Sequence, residues 1–568
     1  MKKITFGKPE KLVPSKFCDN LNYTETTVRY DISKIKMEHT PKGVVVEFKL
    51  EADEQIYGFG LQLKSFNHTG YKLTLRVNSD PVADTGDSHA PVPFFVTNKG
   101  YGIYFDTARY IEAYCGFTKK QRRENAENTN IVIDTDELYR KKENKEEKYM
   151  TVLIPSVEGI DLYIFEGETI TDVVAQYNMF SGGGCDVPDW GLGVLYRCFG
   201  KSNSNAIRTF ADYFRKTDIP CDILGLEPGW QSGSYPCTFE WDQERFPDYK
   251  ELIKELKDKG YHINLWEHAY IAPQSSLYEK LFKYSGDYEV WKGIVPDFAS
   301  AGAKIFSDYH RENFVKLGID GFKLDECDNS DFREDWGFPN CSKFPSGMDG
   351  EQYHSLFGVL YMKSILEALN ETKTFSEVRS AGALCASYPF VLYSDLYDRK
   401  DFLRGLVNSG FSGLLWAPEM REAHSKNELM GRLWNVIFSP QCVINGWYYE
   451  EVPWKNFDLE NEVREALLER HRLIPRLKRA FEVYHNTGVP PVRALVMDFT
   501  KDSETWNIDD EYMFCDNLLV APNTTDKAER SVYLPHGKWK DYWSDKVFEG
   551  GWITSEEVIP VYEKILDK

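Results

Sequence analysis

The sequence has no apolar run long enough to cross a membrane. Hydrophobic residues make up 42% of the 568 residues, yet no stretch reaches the roughly 18 residues that a transmembrane helix needs. The amino terminus, MKKITFGKPEKLVPSKFCDN, is lysine-rich and has no apolar segment of the kind found in signal peptides. We therefore expect a soluble protein located in the cytoplasm.

Paired cysteines are also absent. The 11 cysteines form no Cys-x-x-Cys motif and no paired spacing, and scattered cysteines in a long chain are typical of a reducing compartment. No set of His, Cys and Asp residues has the spacing of a metal site. The sequence therefore predicts reduced thiols, no metal and no other cofactor, and it leaves a homo-oligomer open.

The sequence has fewer basic residues than acidic residues. The 68 Lys and Arg residues face 89 Asp and Glu residues, which gives a net charge of −21 and argues against nucleic acid or an anionic membrane as the partner. The acids are dispersed along the chain, so the charge favours solubility. Aromatic residues are abundant by contrast, at 15%. They can hold sugar rings, but a large core uses them too.

The length of the chain predicts two to four domains. Residues 1–185 have short apolar or alternating runs between Gly, Asn and Asp turns, which predict an N-terminal β-sandwich. Its strands are predicted at 44–50, 72–77, 93–96, 102–105 and 130–133. The polar loop at 80–89 is long enough to reach another domain.

Residues 186–485 alternate strands with helices, which predicts a parallel sheet. The predicted strands are 191–196, 220–226, 261–266, 319–324, 390–393 and 413–416, and the helices are 203–215, 249–259, 303–317, 352–369 and 463–485. The length leaves room for a (β/α)8 TIM barrel. An open doubly wound sheet is the alternative, but no Gly-x-Gly-x-x-Gly follows a strand. Residues 486–568 predict a small C-terminal β-domain, with strands at 517–522, 531–535 and 537–543.

The segment 317–331, LGIDGFKLDECDNSD, combines a helix end, a short apolar strand and a cluster of acids. Gly318 suits a left-handed helix C-cap. Four mutually repelling acids follow the strand, at the end where α/β barrels carry their active sites. They are Asp325, Glu326, Asp328 and Asp331. A solvated loop is the alternative, whereas a calcium loop is disfavoured because its alternating ligands and its glycine are missing.

Several motifs stand in the order in which family 31 of the glycoside hydrolases carries them. They are FEWD at 239–242 with RFPD at 245–248, PDF at 296–298, GIDGF at 318–322, RLIP at 472–475, PVR at 491–493, DDEYM at 509–513, and YLP, GKWKDYW and EGG within 533–551. These motifs extend over more than half of the chain. In this order they resemble the retaining α-glycosidases of that family. The resemblance implies a TIM barrel with flanking β-domains, and two catalytic carboxylates about 5–5.5 Å apart.

The resemblance also implies the roles of two aspartates. Asp325 corresponds to the nucleophile. Asp395 closes the segment that begins at Arg379 and corresponds to the acid/base, a role that requires a raised pKa, which desolvation by neighbours such as Tyr393 would supply. The alternative for Asp395 is a helix N-cap or a solvated pair with Asp398.

The sequence departs from the family's common α-glucosidases where those enzymes hold sugar hydroxyls. The departures are Glu227 after the second barrel strand, Ser387 within the acid/base segment, Glu419 near the seventh strand and Trp447 late in the barrel. A site built for one hydroxyl pattern rejects another, because unpaired buried polar groups are costly. We therefore expect a sugar other than ordinary α-glucose, such as galactose with its axial hydroxyl at carbon 4, or a changed acceptor linkage.

Further residues are candidates for sugar binding. Lys323 shares a strand face with Asp325 under the two-residue period of a strand, and it can bind a hydroxyl or form a plain ion pair. Tryptophans near barrel strand ends can stack on a sugar or cap the barrel. The candidates are Glu227, Trp230, Trp266, Glu267, Lys323, Arg379, Trp416, Glu419 and Trp447. His89 and His268 are more readily explained as surface or core residues.

These observations predict an exo-acting, retaining α-glycosidase that acts on an oligosaccharide or a small glycoside. Capture of the intermediate by a sugar instead of water stays open. One rival is a catalytically inactive carbohydrate-binding protein, which the presence of both Asp325 and Asp395 disfavours. Another is a metal-dependent sugar isomerase on the same barrel, which a chelator would inactivate.

Overall fold

The computed structural model describes residues 1–79, 81, 83–120, 147–330, 335–395, 398–525 and 527–565. The strand predicted at 130–133 and the acid Asp331 lie outside the described residues. All 11 cysteines are free thiols. Within the described part of the chain, no helix is both long and apolar enough to span a membrane.

The N-terminal domain is a β-sandwich. Its elements are β1 (Lys2–Lys8), α1 (Pro14–Phe17), β2 (Ile35–Thr40), β3 (Gly43–Leu50), β4 (Ile56–Gly60), β5 (Lys72–Thr74), β6 (Arg76–Val77), β7 (Asp87–Ser88), β8 (Pro91–Thr97), β9 (Tyr101–Phe105), β10 (Glu112–Thr118), β11 (Lys148–Pro155), β12 (Glu158–Glu166) and α2 (Ile170–Phe180). Antiparallel sheets of order β1-β12-β9-β8-β4 and β2-β3-β11-β10-β5 face each other. Apolar side chains such as Val46, Phe48 and Ile103 are fully buried in the core of this domain.

A closed parallel barrel follows. Its region contains the strands β13 (Val194–Arg197), β14 (Ile223–Leu226), β15 (His262–His268), β16 (Ser285–Val290), β17 (Gly293–Pro296), β18 (Gly321–Asp325), β19 (Ser376–Val378), β20 (Phe390–Leu392), β21 (Glu419–Met420) and β22 (Cys442–Asn445). Eight of these strands pair in parallel in the order β20-β19-β18-β15-β14-β13-β22-β21. A bridge between Leu392 and Trp416 closes the ring. The predicted TIM barrel is therefore confirmed.

Helices connect the barrel strands. They are α3 (Ser204–Thr217), α4 (Tyr249–Asp258), α5 (Tyr278–Leu281), α6 (Gly302–Asn313), α7 (Gly350–Leu369), α8 (Arg399–Ser409) and α9 (Lys426–Ile437). The side chains of Asn203, Asp349 and Ser425 accept backbone N–H bonds at the starts of α3, α7 and α9, which satisfies donors that a helix leaves unpaired. Gly318 has the left-handed φ of 106° that ends the helical segment before β18.

The barrel contains the strands β19, β21 and β22 and the helices α5, α8 and α9, which were not predicted, and it differs from the expectation in two further places. Residues 413–416 are not a strand, because Gly413 turns the chain at φ 68° and only Trp416 makes a bridge; a short apolar run does not by itself distinguish a strand from other buried backbone. The antiparallel hairpin of β16 and β17 was not predicted. Half of the residues of β16 are exposed and only Val290 is buried, so its sequence lacks the apolar alternation of a core strand.

The long helix α10 (Glu460–Thr487) leads to the C-terminal β-domain. That domain contains β23 (Val492–Ala494), α11 (Leu495–Asp498), β24 (Tyr512–Phe514), β25 (Leu518–Val520), β26 (Arg530–Asp541), β27 (Val547–Ser555) and β28 (Val561–Ile565). Its strands form one antiparallel sheet of order β23-β24-β25-β28-β26-β27. The two strands predicted at 531–535 and 537–543 are largely one strand, β26, whose register with β27 shifts between Leu534 and Lys538.

Candidate active site

Carboxylates from four barrel strands meet at the carboxyl end of the barrel, where such folds place their active sites. Asp325 is the last residue of β18, and Glu227 follows β14 directly. Asp395 comes shortly after β20, and Glu419 opens β21. Segments that lie far apart in the sequence therefore deliver their acids to one rim.

Two donors fix the carboxylate of Asp325. The indole Nε1 of Trp266 donates to Oδ2 at 2.7 Å, and the backbone N–H of Glu326 donates to Oδ1 at 2.9 Å. Trp266 is itself 1% exposed, so its ring is held by packing. The side chain of Asp325 thus has a defined orientation, as a positioned nucleophile requires.

Asp395 lies between two guanidinium groups. Arg379 donates from Nη1 to Oδ2 at 2.7 Å, and Arg421 pairs with the other carboxylate oxygen. Burial alone would raise the pKa of Asp395, but the charges of Arg379 and Arg421 outweigh it and hold the pKa well below its usual range. This direction is opposite to the raised pKa that we expected from desolvation, because charged partners from two other segments dominate.

A hydrogen-bonded chain connects the N-terminal domain to Asp395. His89, which follows β7, contacts Oδ2 of Asp328 through Nδ1 at 2.6 Å, and Nε of Arg379 donates to the same oxygen at 3.1 Å. His89 and Asp328 are fully buried. Burial would raise the pKa of Asp328, but Arg379 and His89 hold it below its usual value. The sandwich therefore helps to orient the guanidinium that contacts Asp395.

A buried ionic cluster fills the barrel beneath these acids. Arg197 pairs with Glu377, donates to Glu227 at 3.1 Å and donates to the side-chain oxygen of Asn264 at 2.9 Å. The Nζ atom of Lys323 lies 3.9 Å from Glu227. All five side chains are buried, so each charge depends on its partners.

Lys323 and Glu419 form the upper part of this cluster. The Nζ atom of Lys323 lies 3.7 Å from Oε1 of Glu419 and 4.4 Å from the centre of the Tyr393 ring. Asn445 donates to the other oxygen of Glu419 at 2.8 Å. Burial would lower the pKa of Lys323, but Glu227 and Glu419 raise it above its usual value. The lysine therefore stays charged next to the rim.

Three of the sequence-based candidates face away from the rim. The indoles of Trp230 and Trp416 are buried and donate to the backbone oxygens of Trp266 and Phe402. Glu267 is fully buried and contacts His310 on α6 and Tyr361 on α7. These side chains tie the barrel to its surroundings and leave no face for a sugar.

The candidate Trp447 and the histidine His268 lie nearer to the rim. Trp447 follows β22 and is partly exposed. His268 is buried on the same strand as Trp266, and burial lowers its pKa to about 3. Its imidazole is therefore neutral and packs against Trp266 and Tyr235, with ring centroids 5.5 and 5.1 Å away.

Arg421 was not among the residues predicted from the sequence. It lies two residues after Glu419, so the two-residue period of a strand places both side chains on the same face. Its Nη2 atom also donates to the hydroxyl of Tyr448 at 2.9 Å. The two-residue period could have placed Arg421 on the same face as Glu419. Only the fold shows that Arg421 contacts Asp395.

Glu326, next to Asp325 in the chain, has an unusual backbone conformation and an unusual pKa. Its φ is 56°, in the left-handed region that non-glycine residues rarely adopt. Tyr235 and Asn329 donate to its two carboxyl oxygens at 3.2 and 2.8 Å. Burial, with the charge of Asp325 in addition, raises its pKa to about 8. Glu326 is therefore protonated at neutral pH.

Replacing Glu326 by glutamine should make stability less dependent on pH. The folded protein keeps this carboxyl protonated up to about pH 8, whereas an unfolded glutamate titrates near about 4.3. The protonated carboxyl therefore contributes stability below the unfolded pKa, and this contribution is lost as the pH rises through the folded pKa. We expect the melting temperature of the wild type, relative to Glu326→Gln, to fall from about pH 5 to about pH 8 in calorimetry.

The matched control is Glu312→Gln, because this glutamate is exposed on α6 and pairs with Lys316. Its melting temperature relative to the wild type should change little over the same interval. A constant difference between the wild type and Glu326→Gln would show that Glu326 titrates as an ordinary exposed acid.

The described residues contain no group of three or more His, Cys, Asp or Glu side chains that could hold a metal ion. A parallel barrel with acids at its carboxyl rim, flanked by two β-domains, is the arrangement that the resemblance to the glycoside hydrolases implies.

Comparison with known families agrees with this class. Residues 185–480 match the Glycosyl hydrolases family 31 TIM-barrel domain. Residues 12–112 match the Glycosyl hydrolase 31 N-terminal galactose mutarotase-like domain, and residues 488–565 match the Glycosyl hydrolase family 31 C-terminal domain. The chain belongs to glycoside hydrolase family 31, a family of retaining α-glycosidases.

Individual relatives cover most of the chain. It is 28% identical over 583 residues to Alpha-glucosidase 2 of Bacillus thermoamyloliquefaciens, covering 93% of this chain and 69% of that protein. It is 24% identical over 547 residues to the Alpha-xylosidase of Emericella nidulans, and the match covers 90% of this chain and 65% of that protein. The GH31 dextranase FjDex31A of Flavobacterium johnsoniae, complexed with glucose, has a similar structure, with a TM-score of 0.79 at 21% identity over 94% of this chain and 68% of that one. The chain spans about two thirds of the length of these relatives.

Proposed function

We propose that this protein is an exo-acting α-glycosidase for sugars with equatorial hydroxyls at carbons 2 to 4, the arrangement that glucose and xylose share. The observation that carries the proposal is the positioned carboxylate of Asp325 at the end of β18, on a rim that also holds Asp395. The relatives named alpha-glucosidase and alpha-xylosidase support the sugar configuration. They give no support to the axial carbon-4 hydroxyl of galactose that the pocket substitutions had suggested.

The reaction proceeds in two displacements. Asp325 attacks the anomeric carbon and forms a covalent glycosyl ester, while Asp395 gives its proton to the departing oxygen. Water then attacks the anomeric carbon, the bond from that carbon to Asp325 breaks and frees the carboxylate, and Asp395 takes the proton from the water. Arg379 and Arg421 stabilise the ionised form of Asp395, which is the form that the second step needs. Before the first step Asp395 has to take up a proton, and this protonation competes with its ion pairs to Arg379 and Arg421.

The buried end of the pocket suits a single terminal sugar. Glu227, Lys323 and Glu419 are all buried below the rim, and charged groups there can hydrogen-bond to sugar hydroxyls at fixed positions. The other members of the ionic cluster, Arg197, Glu377 and Asn264, are buried in the barrel with them. A chain of sugars can therefore enter only by its end, which is the basis for exo action.

A panel of 4-nitrophenyl α-glycosides tests the proposal. We expect turnover of the glucoside or the xyloside to exceed turnover of the galactoside and the N-acetylgalactosaminide by at least about 100-fold in kcat/KM, because hydroxyl mismatches leave buried polar groups unpaired. Preference for the galactoside would refute the sugar configuration. Absence of turnover on every sugar would instead favour a carbohydrate-binding protein.

A further inference from the structure

A cavity of about 460 Å³ lies where the N-terminal sandwich meets the C-terminal domain. Its walls come from the segment before β2 and from the turns between β3 and β4, between β8 and β9, and between β12 and α2. Lys501, which follows α11 in the C-terminal domain, completes them. Ten of the fourteen lining residues are charged, and the other four are two tyrosines and two glycines. This cavity, called the junction cavity below, shares no residue with the catalytic rim.

Hydrogen bonds hold the two domains together beside the junction cavity. The backbone N–H of Ile170 donates to Oγ1 of Thr500 at 3.0 Å, and the hydroxyl of Thr171 donates to Oδ1 of Asp498 at 2.5 Å. Both acceptors are close neighbours of Lys501 in the chain. The position of the Lys501 backbone relative to the sandwich is therefore fixed, and the two domains build one site.

Three acids of the junction cavity already have partners. The carboxylate of Glu166 accepts two backbone N–H groups from the segment before β2. Asp31 accepts the backbone N–H of Ser33 at 3.1 Å and its hydroxyl at 2.6 Å. Glu51 pairs with Lys99 at 3.3 Å. These carboxylates are therefore engaged within the sandwich.

Three cations of the junction cavity have no such partners. Arg29, Lys34 and Lys501 form no ion pair with any acid in the part of the chain that the structure describes. The chain carries a net charge of −21, so a group of cations drawn from two domains departs from its general charge. Arginine and lysine side chains supply the charge-assisted N–H donors that phosphate oxygens accept. The three cations therefore favour an anion of this kind.

A buried carboxyl lines the cavity together with these cations. Glu54 is 4% exposed, and its Oε2 accepts the backbone N–H of Glu51 at 2.9 Å. Within the described ranges neither Oε1 of Glu54 nor the Tyr30 hydroxyl has a hydrogen-bond partner of good geometry, although the Tyr101 hydroxyl is close enough to lower the pKa that burial raises. Buried polar groups without partners are costly. A ligand that carries hydroxyl groups would supply the missing bonds.

We propose that the junction cavity binds a monosaccharide phosphate, with its phosphate on Arg29, Lys34 and Lys501 and its hydroxyls on Glu54 and Tyr30. This inference goes beyond the proposed function, because the cavity lies outside the catalytic rim. The cavity volume is within the range of about 300–1,000 Å³ that small-molecule sites have. The lining contains no aliphatic side chain, which argues against a lipid, whereas a tyrosine ring can pack against a sugar. A ligand in this place would connect the sandwich to the C-terminal domain.

Calorimetric titration of the full chain with glucose 6-phosphate, inorganic phosphate and glucose tests the proposal. We expect Arg29→Gln and Lys501→Gln each to weaken the binding of glucose 6-phosphate by at least about tenfold, since a hydrogen bond to a charged group is worth about this factor. Inorganic phosphate and glucose should each bind at least about tenfold more weakly than glucose 6-phosphate, because each reaches only part of the site. The control is Lys280→Gln, which replaces an exposed lysine on α5 and should leave binding unchanged.

The other outcomes would overturn the proposal. They are absence of glucose 6-phosphate binding, binding that neither substitution weakens, and binding of inorganic phosphate or of glucose that equals it. Without ligand, Arg29→Gln and Lys501→Gln should keep the melting temperature of the wild type, because both side chains are exposed. They should also keep its kcat/KM on 4-nitrophenyl α-glycosides. A wild type that hydrolyses no glycoside would refute the proposed function and leave the binding result as it stands.

Discussion

Replacing Asp325 by asparagine should lower kcat for an activated aryl α-glycoside by at least about 10⁴-fold, because the amide cannot form the glycosyl ester and no other acid takes its place. The bonds from Trp266 and from the Glu326 backbone reach different oxygens of Asp325, and the single amide oxygen can still accept one of them. Folding should therefore be retained. The measurement is initial rate under saturating substrate, together with a melting curve.

The matched control is Asp308→Asn, which alters an exposed ion pair with Lys304 on α6. Its activity should stay within about twofold of the wild type, since an exposed pair contributes little to stability. If Asp325→Asn retained more than a tenth of the activity, Asp325 would not be the nucleophile. Mass spectrometry of wild type treated with a 2-fluoro glycosyl fluoride should, in addition, find the label on Asp325.

Replacing Asp395 by asparagine should show an effect that depends on the leaving group. For an oligosaccharide, whose leaving oxygen needs a proton, we expect kcat/KM to fall by about 10²- to 10⁴-fold, the usual contribution of a general acid. For an aryl glycoside whose leaving group needs no proton, kcat/KM should fall far less, because only the second step then lacks its base. Added azide should restore turnover of the aryl substrate and yield a glycosyl azide.

Asp398→Asn is the control for this prediction. Asp398 is the N-cap of α8 and accepts bonds from the N–H groups of Lys400 and Asp401, and asparagine caps a helix about as well. Activity and melting temperature should therefore stay close to those of the wild type. An equal loss on both substrates in Asp395→Asn would place Asp395 in substrate binding instead of proton transfer.

The fold was predictable from the sequence because its signals are local. Alternation of strands and helices, the apolar run before Asp325 and the turn at Gly318 all lie within short windows. The same kind of reasoning could also have separated Trp266 from Glu267. On β15 the two-residue period places Trp266 toward the barrel interior and Glu267 toward the helices, so one contacts Asp325 and the other contacts His310.

The electrostatics of the rim were not predictable in the same way. The ionised state of Asp395 depends on Arg421, which is 26 residues away in the sequence and meets it only because β20 and β21 are neighbours in the closed ring. The buried pair of His89 and Asp328 joins residues 239 positions apart. No local pattern carries such contacts, so the expected rise in the pKa of Asp395 had the wrong direction.

The link from His89 to Asp328 and Arg379 means that the surroundings of Asp395 are built from two domains. A barrel separated from its sandwich would keep Asp328 and Arg379 but lose the buried imidazole that completes their bonding. Exchange of N-terminal domains between enzymes of this architecture would therefore succeed only when the incoming domain brings a histidine to the same place.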